Sequence, residues 1–342
     1  MRIFNTALTQ SQVTTLARGI ATSYSGTNTD VNFNGHLDFA PDFVWVKARD
    51  AAHDHVLVNS VNGAGSNQGL SSNAAYYNGQ YTATYGYISS LNSNGFTVSS
   101  GSSYANYTNV NNEDYVSWNW KAGGTAVTNN DGTIASQVSA NKDSGFSIVK
   151  YTGSGSAMSV GHGLSSAPEL VFFKSTNASA NWLVLTDSID GSADYLTLNS
   201  TAAKTDLASG WLPDSTKLNF ASSSSVINNT NGTQQMIAYC FHSVNNFSKI
   251  NFYTGTGSSG NSIVIGFQPR FLMVKRTDST SNWRLYNSAM GTGVELYANT
   301  SAAETSATGY LNFNSTGFEI TTTGGWLNAN GGTYLYLSLI HI

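Results

Sequence analysis

The chain has 342 residues, of which 40% are hydrophobic and only 10% charged, with a formal net charge of −4. That apolar content excludes global disorder, and 15 Lys plus Arg without a basic stripe exclude a nucleic-acid partner. No apolar run has membrane-spanning length, no signal peptide is recognised, and a single cysteine cannot form an internal disulfide, so stability must come from packing or from association between chains.

Taken in chain order, residues 1–20 carry one helical signal: Thr9 and Gln12 offer a capping box for a short helix over 9–18. From residue 21 onward, short β-rich runs are separated by Gly, Asn and Ser clusters. A first unit over 21–123 holds SYSG at 23–26, PDFVWVK at 41–47, and His55 leading into a strand at 56–58. The pair Ala74-Ala75, a Tyr- and Gly-rich stretch over 76–87, and a closing strand YVSWNW at 115–120 follow. Residues 124–144 read as a linker, with a turn at 130–132 and a short alternating stretch at 134–138. A second unit over 145–244 repeats the series: GFSIVKYTG at 145–153, PELVFFK at 168–174, Trp182, Ala202-Ala203 and MIAYCF at 236–241. A third over 245–342 does so again, with FSKINFYTG at 247–255, PRFLMVK at 269–275, Trp283, Ala302-Ala303 and YLYL at 334–337.

Each proline opens its strand, before ladder hydrogen bonds are required. The three proline-led runs are apolar on both alternating faces, which marks central strands buried on two sides. Three units of roughly 100 residues can each bury a core. The expected fold is all-β: three tandem antiparallel β-sandwich repeats, jelly-roll-like, preceded by the short helix.

The motifs at 41–47, 145–155 and 269–277, with DGTI at 131–134 and GHGLSSAP at 161–168, resemble a repeat domain of structural proteins of marine bacteriophages, over roughly residues 21–337. RIFNTALTQSQVTTL at 2–16 is similar to the closing strand and helix of a laminin-G/concanavalin-like lectin domain, so residues 1–20 are expected to be its remnant. The ending at 337–342 is similar to sequencing-adapter read-through, and residues 338–342 are expected to carry no biology. These resemblances imply a non-enzymatic tail-fibre or tail-associated virion protein, located in the virion or outside the cell. Its repeats would give spacing and weak multivalent contact with a host cell-surface glycan. The partners implied are that glycan, further copies in a homotrimer, and other virion proteins, with no membrane insertion. Two alternatives stand beside this: a carbohydrate-binding or adhesion module of a secreted or cell-surface bacterial protein, and a pure spacer.

Chemistry-bearing motifs are few. GTGSSG at 255–260 matches a dinucleotide fingerprint, but a strand rather than a helix follows it, so it reads as a turn. His53 and His55 would share one face of a strand as metal ligands can, yet His55 stands where Trp182 and Trp283 stand, which favours a packing site. His162 sits in a Gly-flanked turn without an evident partner. Asp187, Asp190 and Asp194 lack calcium-loop spacing and read as a solvated turn. No GxSxG elbow occurs, and no cofactor, metal or catalytic residue is expected. Trp182 and Trp283 recur in register and read as core, like Cys240 in its apolar run. The candidate ligand contacts are aromatics outside the repeating strands: Tyr76, Tyr77, Tyr81, Tyr85, Tyr87, Trp211 and Trp326.

Overall fold

Strands apolar on both faces need cover on two sides, and a computed structural model shows what supplies it. The structure describes residues 21–28, 30–207, 212–221, 232–288 and 290–340. The helix expected over 9–18 and Trp211 lie outside them.

The first unit comprises β1 (Ala21–Ser25), β2 (Val31–Asn32), β3 (Phe43–Ala48), β4 (Val56–Asn59), a short helix (Thr82–Tyr85), β5 (Tyr87–Asn92), β6 (Gly95–Ser99) and β7 (Asp114–Trp120). The second runs through β8 (Val127–Asn129), β9 (Ser136–Asn141), β10 (Phe146–Thr152), β11 (Met158–Gly161), β12 (Leu170–Ser175), β13 (Leu183–Thr186), β14 (Asp194–Thr197), β15 (Thr205–Asp206), β16 (Lys217–Phe220) and β17 (Gln235–Phe241). The third holds β18 (Ser248–Thr254), β19 (Asn261–Val264), β20 (Phe271–Arg276), β21 (Arg284–Asn287), β22 (Val294–Tyr297), β23 (Thr305–Ser306), β24 (Leu311–Asn314), β25 (Gly317–Ile320), a short helix (Gly325–Asn328) and β26 (Thr333–Leu339).

Among the described residues, every pairing between these strands is antiparallel. The main sheets run β1-β7-β3-β4, β15-β14-β13-β12-β17-β10-β9-β8 and β18-β26-β20-β21-β22-β23. Smaller sheets, β2-β6-β5, β11-β16 and β19-β25-β24, complete the three sandwiches. The fold is all-β, as expected.

One face of each main sheet meets its own small sheet. Val44 and Val46 pack with Phe96 and Val98; Val171 and Phe173 with Leu218 and Phe220; Leu272 and Val274 with Phe318 and Ile320. Cys240 belongs to the second of these cores. The opposite faces meet one another. Phe43, Trp45 and Trp118 of the first unit, Leu170, Phe172 and Tyr239 of the second, and Phe271, Met273 and Leu337 of the third form a single buried cluster. Trp182 and Trp283 lie in it too, as core. At its centre remains a wholly apolar cavity of about 20 Å³, bounded by side chains from all three units. A water would fit there by size, but with no polar partner in the lining the space stays dry.

Hydrogen bonds repeat in a cycle around this core. Trp182 Nε1 of the second unit donates to Ser71 O of the first at 2.7 Å, and Trp283 Nε1 of the third to Thr197 O of the second at 3.0 Å. The matched residue of the first unit, His55, closes the cycle by donating through Nε2 to Tyr297 O (3.1 Å) and Thr300 O (3.0 Å) of the third. Main-chain links cross the same three seams in the opposite donor sense: Asn78 N to Thr176 O, Lys204 N to Thr277 O, and Glu304 N to Arg49 O. The repeats therefore close into a ring inside one chain, each unit holding the next.

Two segments depart from their sequence reading. The linker at 124–144 carries β8 and β9, and β9 pairs with β10 along residues 137–141, extending the second sheet over an edge that would otherwise be open. Residues 338 and 339, assigned to read-through, complete β26. Leu339 pairs with Phe271 as Trp120 pairs with Phe43 and Phe241 with Leu170, and it is buried in the shared cluster. The periodicity at 334–337 had simply not ended: Leu335, Leu337 and Leu339 share one face.

Candidate functional site

The first unit differs from the others in the long segment between β4 and β5. Its turns are fixed locally. Thr82 Oγ1 donates to Ser66 O at 2.7 Å, and Gly79 N to Gly69 O at 2.9 Å. Gly79 has φ of 69°, and a Cβ there would stand 2.4 Å from Asn67 Cα, so the site needs glycine.

This frame gathers tyrosines from two loops. The ring centroids of Tyr76 and Tyr81 are 4.4 Å apart, those of Tyr81 and Tyr85 6.4 Å, and Tyr85 lies 5.3 Å from Tyr104 in a stacked pair and 5.1 Å from Tyr107. Tyr104 is 55% exposed, Tyr77 40% and Tyr81 38%. Beneath them Tyr107 donates its hydroxyl to Asp54 Oδ2 at 2.9 Å, and Asn73 Nδ2 donates to Asp54 Oδ1 at 2.6 Å. Burial, then the Asp54 charge, pushes the Tyr107 and Tyr76 phenols above their ordinary range. Both stay protonated at neutral pH; the Tyr107 O–H is spent on Asp54 beneath the exposed rings, and Tyr76 keeps an uncharged ring with its O–H.

Of the predicted contacts, Tyr76, Tyr81 and Tyr85 come together, Tyr77 stands exposed beside them, and Tyr87 instead opens β5 opposite Ser99. Sequence reasoning passed over Tyr104 and Tyr107. They too are tyrosines in a Ser- and Asn-rich stretch outside the repeating strands, but only the fold shows that the two loops meet.

Trp326 lies in the last short helix, 39% exposed, with its ring 5.7 Å from Tyr310 and Arg284 Cζ 5.6 Å from its centroid. Arg284 is anchored on Glu295, which also accepts from Tyr286 (2.5 Å) and Tyr297 (2.6 Å). The guanidinium is thus neutralised under the indole rather than offered to solvent.

The remaining motifs resolve into structure. The loop at 255–260 joins β18 to β19, a strand as expected. His53 and His55 part company: His53 Nε2 lies 2.9 Å from Glu113 Oε2, while His55 is sealed in the ring, where burial lowers its pKa to about 3. His162 Nδ1 accepts from Leu164 N (3.1 Å) and its Nε2 donates to Asp214 O (3.0 Å), pinning a turn. The acidic group is more than a solvated turn. Asp190, Asp194 and Asp206 close on Lys204 Nζ at 2.8, 2.7 and 2.6 Å, and Asp194 is fully buried. Lys204, two residues from Asp206 but ten from Asp194 and fourteen from Asp190, supplies the cation those carboxylates require.

Residues 20–341 match, as one stretch, a family described as a domain of unknown function (DUF7483). No curated protein and no solved structure matches the chain. The matched stretch takes in all three repeats, the same extent as the ring.

Proposed function

For this chain, which belongs to the DUF7483 family, we propose a non-enzymatic structural and adhesive role: a bacteriophage tail-fibre or tail-associated module that touches host glycan through its exposed tyrosines. The observation that carries the adhesive part is the Tyr76–Tyr81–Tyr85–Tyr104 surface on a rigid β ring. Flat aromatic faces stack on the C–H faces of sugar rings, and hydroxyls with a carboxylate at their base suit sugar hydroxyls. The low charge fits such contact, because a surface hydrated by amides and hydroxyls binds alike across a wide range of salt. The virion placement rests on the resemblance of residues 21–337. Ring closure bears on the expected homotrimer: threefold burial is already met within one chain, so further copies would add valency rather than complete a core.

The test is binding of the full chain to a panel of neutral polysaccharides by affinity electrophoresis, with Tyr81→Ala/Tyr104→Ala alongside. Retardation lost in the variant supports adhesion; no retardation of the wild type leaves the spacer reading. Sequencing the neighbourhood of the gene separates the two placements, since flanking capsid or baseplate genes support the virion and a fused catalytic domain supports the secreted module.

A further inference from the structure

The pair Tyr310–Trp326 occupies the place in the third unit that Tyr85–Tyr107 occupies in the first. The frame that shows this is polar. Asn109 N donates to Ala105 O and Asn328 N to Gly324 O, both at 2.8 Å. Asn109 Oδ1 accepts from Thr27 N (2.9 Å), Asn328 Oδ1 from Thr256 N (2.8 Å). Tyr115 donates to Asn106 O and Tyr334 to Gly325 O, at 3.1 and 2.7 Å. Counting from these anchors, Trp326 falls on Tyr107. Its partner follows suit, because Tyr85 and Tyr310 both lie just ahead of the outer strand of the small sheet, β5 or β24. The ring separations agree, 5.1 and 5.7 Å.

Packing alone explains an aromatic pair at one such corner. It does not explain why the third unit, whose loop is shorter and lacks Tyr76 and Tyr81, places a larger ring there and leaves it 39% exposed. Gly324 permits this: a Cβ on it would come within 2.5 Å of the Trp326 ring, so the indole lies flat against backbone. Arg284 Cζ lies over the indole, 5.6 Å from its centroid, and the guanidinium is itself neutralised by Glu295. The exposed part of the indole, with the Tyr310 ring tilted 57° to it, is an uncharged aromatic surface.

We infer that Tyr310 and Trp326 form a second saccharide-binding site, for the pyranose rings of a neutral glycan, which makes the ring at least bivalent. This rests on the adhesive role proposed above. Two sites held rigidly on one ring engage a polymer together, and effective concentrations in the millimolar range raise avidity by ~10²-fold or more over either site alone.

The experiment uses the full chain with laminarin, mannan and xylan, immobilised, and with a short soluble oligosaccharide of whichever polymer binds. Calorimetry with the oligosaccharide is expected to give two sites per chain, falling to one in Trp326→Ala/Tyr310→Ala and to one in Tyr81→Ala/Tyr104→Ala. Retention on the polymer drops at least ~10-fold in either variant. Titration shifts the Trp326 indole N–H resonance in the wild type, and Trp326→Phe retains partial binding; melting curves confirm that the variants fold. One site per chain, abolished by the Tyr81/Tyr104 changes and untouched by those at 310 and 326, would overturn this inference and leave the adhesive role standing. Failure of all three polymers to bind the wild type overturns both.

Discussion

His55 shows how one residue departs from a repeat without breaking it. Trp182 and Trp283 each donate one hydrogen bond across a seam, but the first unit places Trp45 where the others have Phe172 and Met273, adding an indole N–H that needs an acceptor. His55 Nδ1 accepts from Trp45 Nε1 at 2.7 Å while Nε2 donates across the seam, two tasks a tryptophan cannot perform. His55→Phe should therefore cost about 3 kcal/mol or more, since it orphans buried groups on both sides. The pair Trp45→Phe/His55→Phe, which removes donor and acceptor together, should cost at least ~1 kcal/mol less than the two single changes summed, and urea denaturation of the four proteins in this cycle measures it. Full additivity would refute the coupling. Lys47, Lys174 and Lys275, at one repeat position, are fully buried, with burial lowering their pKa to about 8, 7 and 8. Lys174 Nζ donates to Ala75 O and Lys275 Nζ to Thr201 O across the seams, both at 3.1 Å, whereas Lys47 stays within its own unit on Ala48 O and Ala51 O. A base whose folded pKa lies below its ordinary 10.5 binds fewer protons folded than unfolded between the two values, so stability climbs with pH there. The Tm should rise from about pH 7 to about 9, above which Cys240 and the buried tyrosines, whose folded pKa is raised, reverse the trend; Lys174→Met should flatten the lower part of that rise, and a wild-type Tm that falls between about pH 7 and 9 would contradict it.

At the scale of elements, the edges of the main sheets tell how the units are kept from pairing with strangers. The second unit covers β10 with β9. The third has no preceding strand to spare, and caps β18 with side chains: Ser243 Oγ accepts from Ile250 N at 3.0 Å, and Asn251 Oδ1 from Phe252 N at 2.9 Å. Limited proteolysis tests the role of β9. A true linker would be cut within residues 127–141, whereas a paired strand is spared while the fold holds. We expect first cuts elsewhere, with Val138→Asp bringing cleavage into the segment, because Val138 is buried opposite Val149. The Gly, Thr and Asn content that suggested a linker is compatible with a short outer strand. Composition reports exposure there rather than disorder.

At the scale of the molecule, the shared core makes the three repeats one cooperative body. Trp118, fully buried where the sheets converge, should cost ~3–5 kcal/mol on change to Ala and lower a single transition for the whole ring. Calorimetry decides this, because separately melting units would give two or three transitions and only one of them would move. A unit expressed alone would expose the face carrying Trp45 and Trp118, and is expected to aggregate or to associate in threes.

Much of this was legible in the sequence, and for a physical reason: strand period and turn chemistry are local. The all-β class, the three repeats, the central strands buried on both faces, and the core positions of Trp182, Trp283 and Cys240 follow from patterns a few residues long. Alternation shows that a face is buried without showing what buries it, so the strands of a tandem row and of a closed ring read alike. Tertiary structure decided the rest. It turned three units inward onto one core, drew Asp206 and Lys204 to Asp194, set His55 between Trp45 and the third unit, and brought Tyr104 and Tyr107 against Tyr85. Each of these joins residues whose meeting depends on how sheets pack, and sheet packing has no period in the chain.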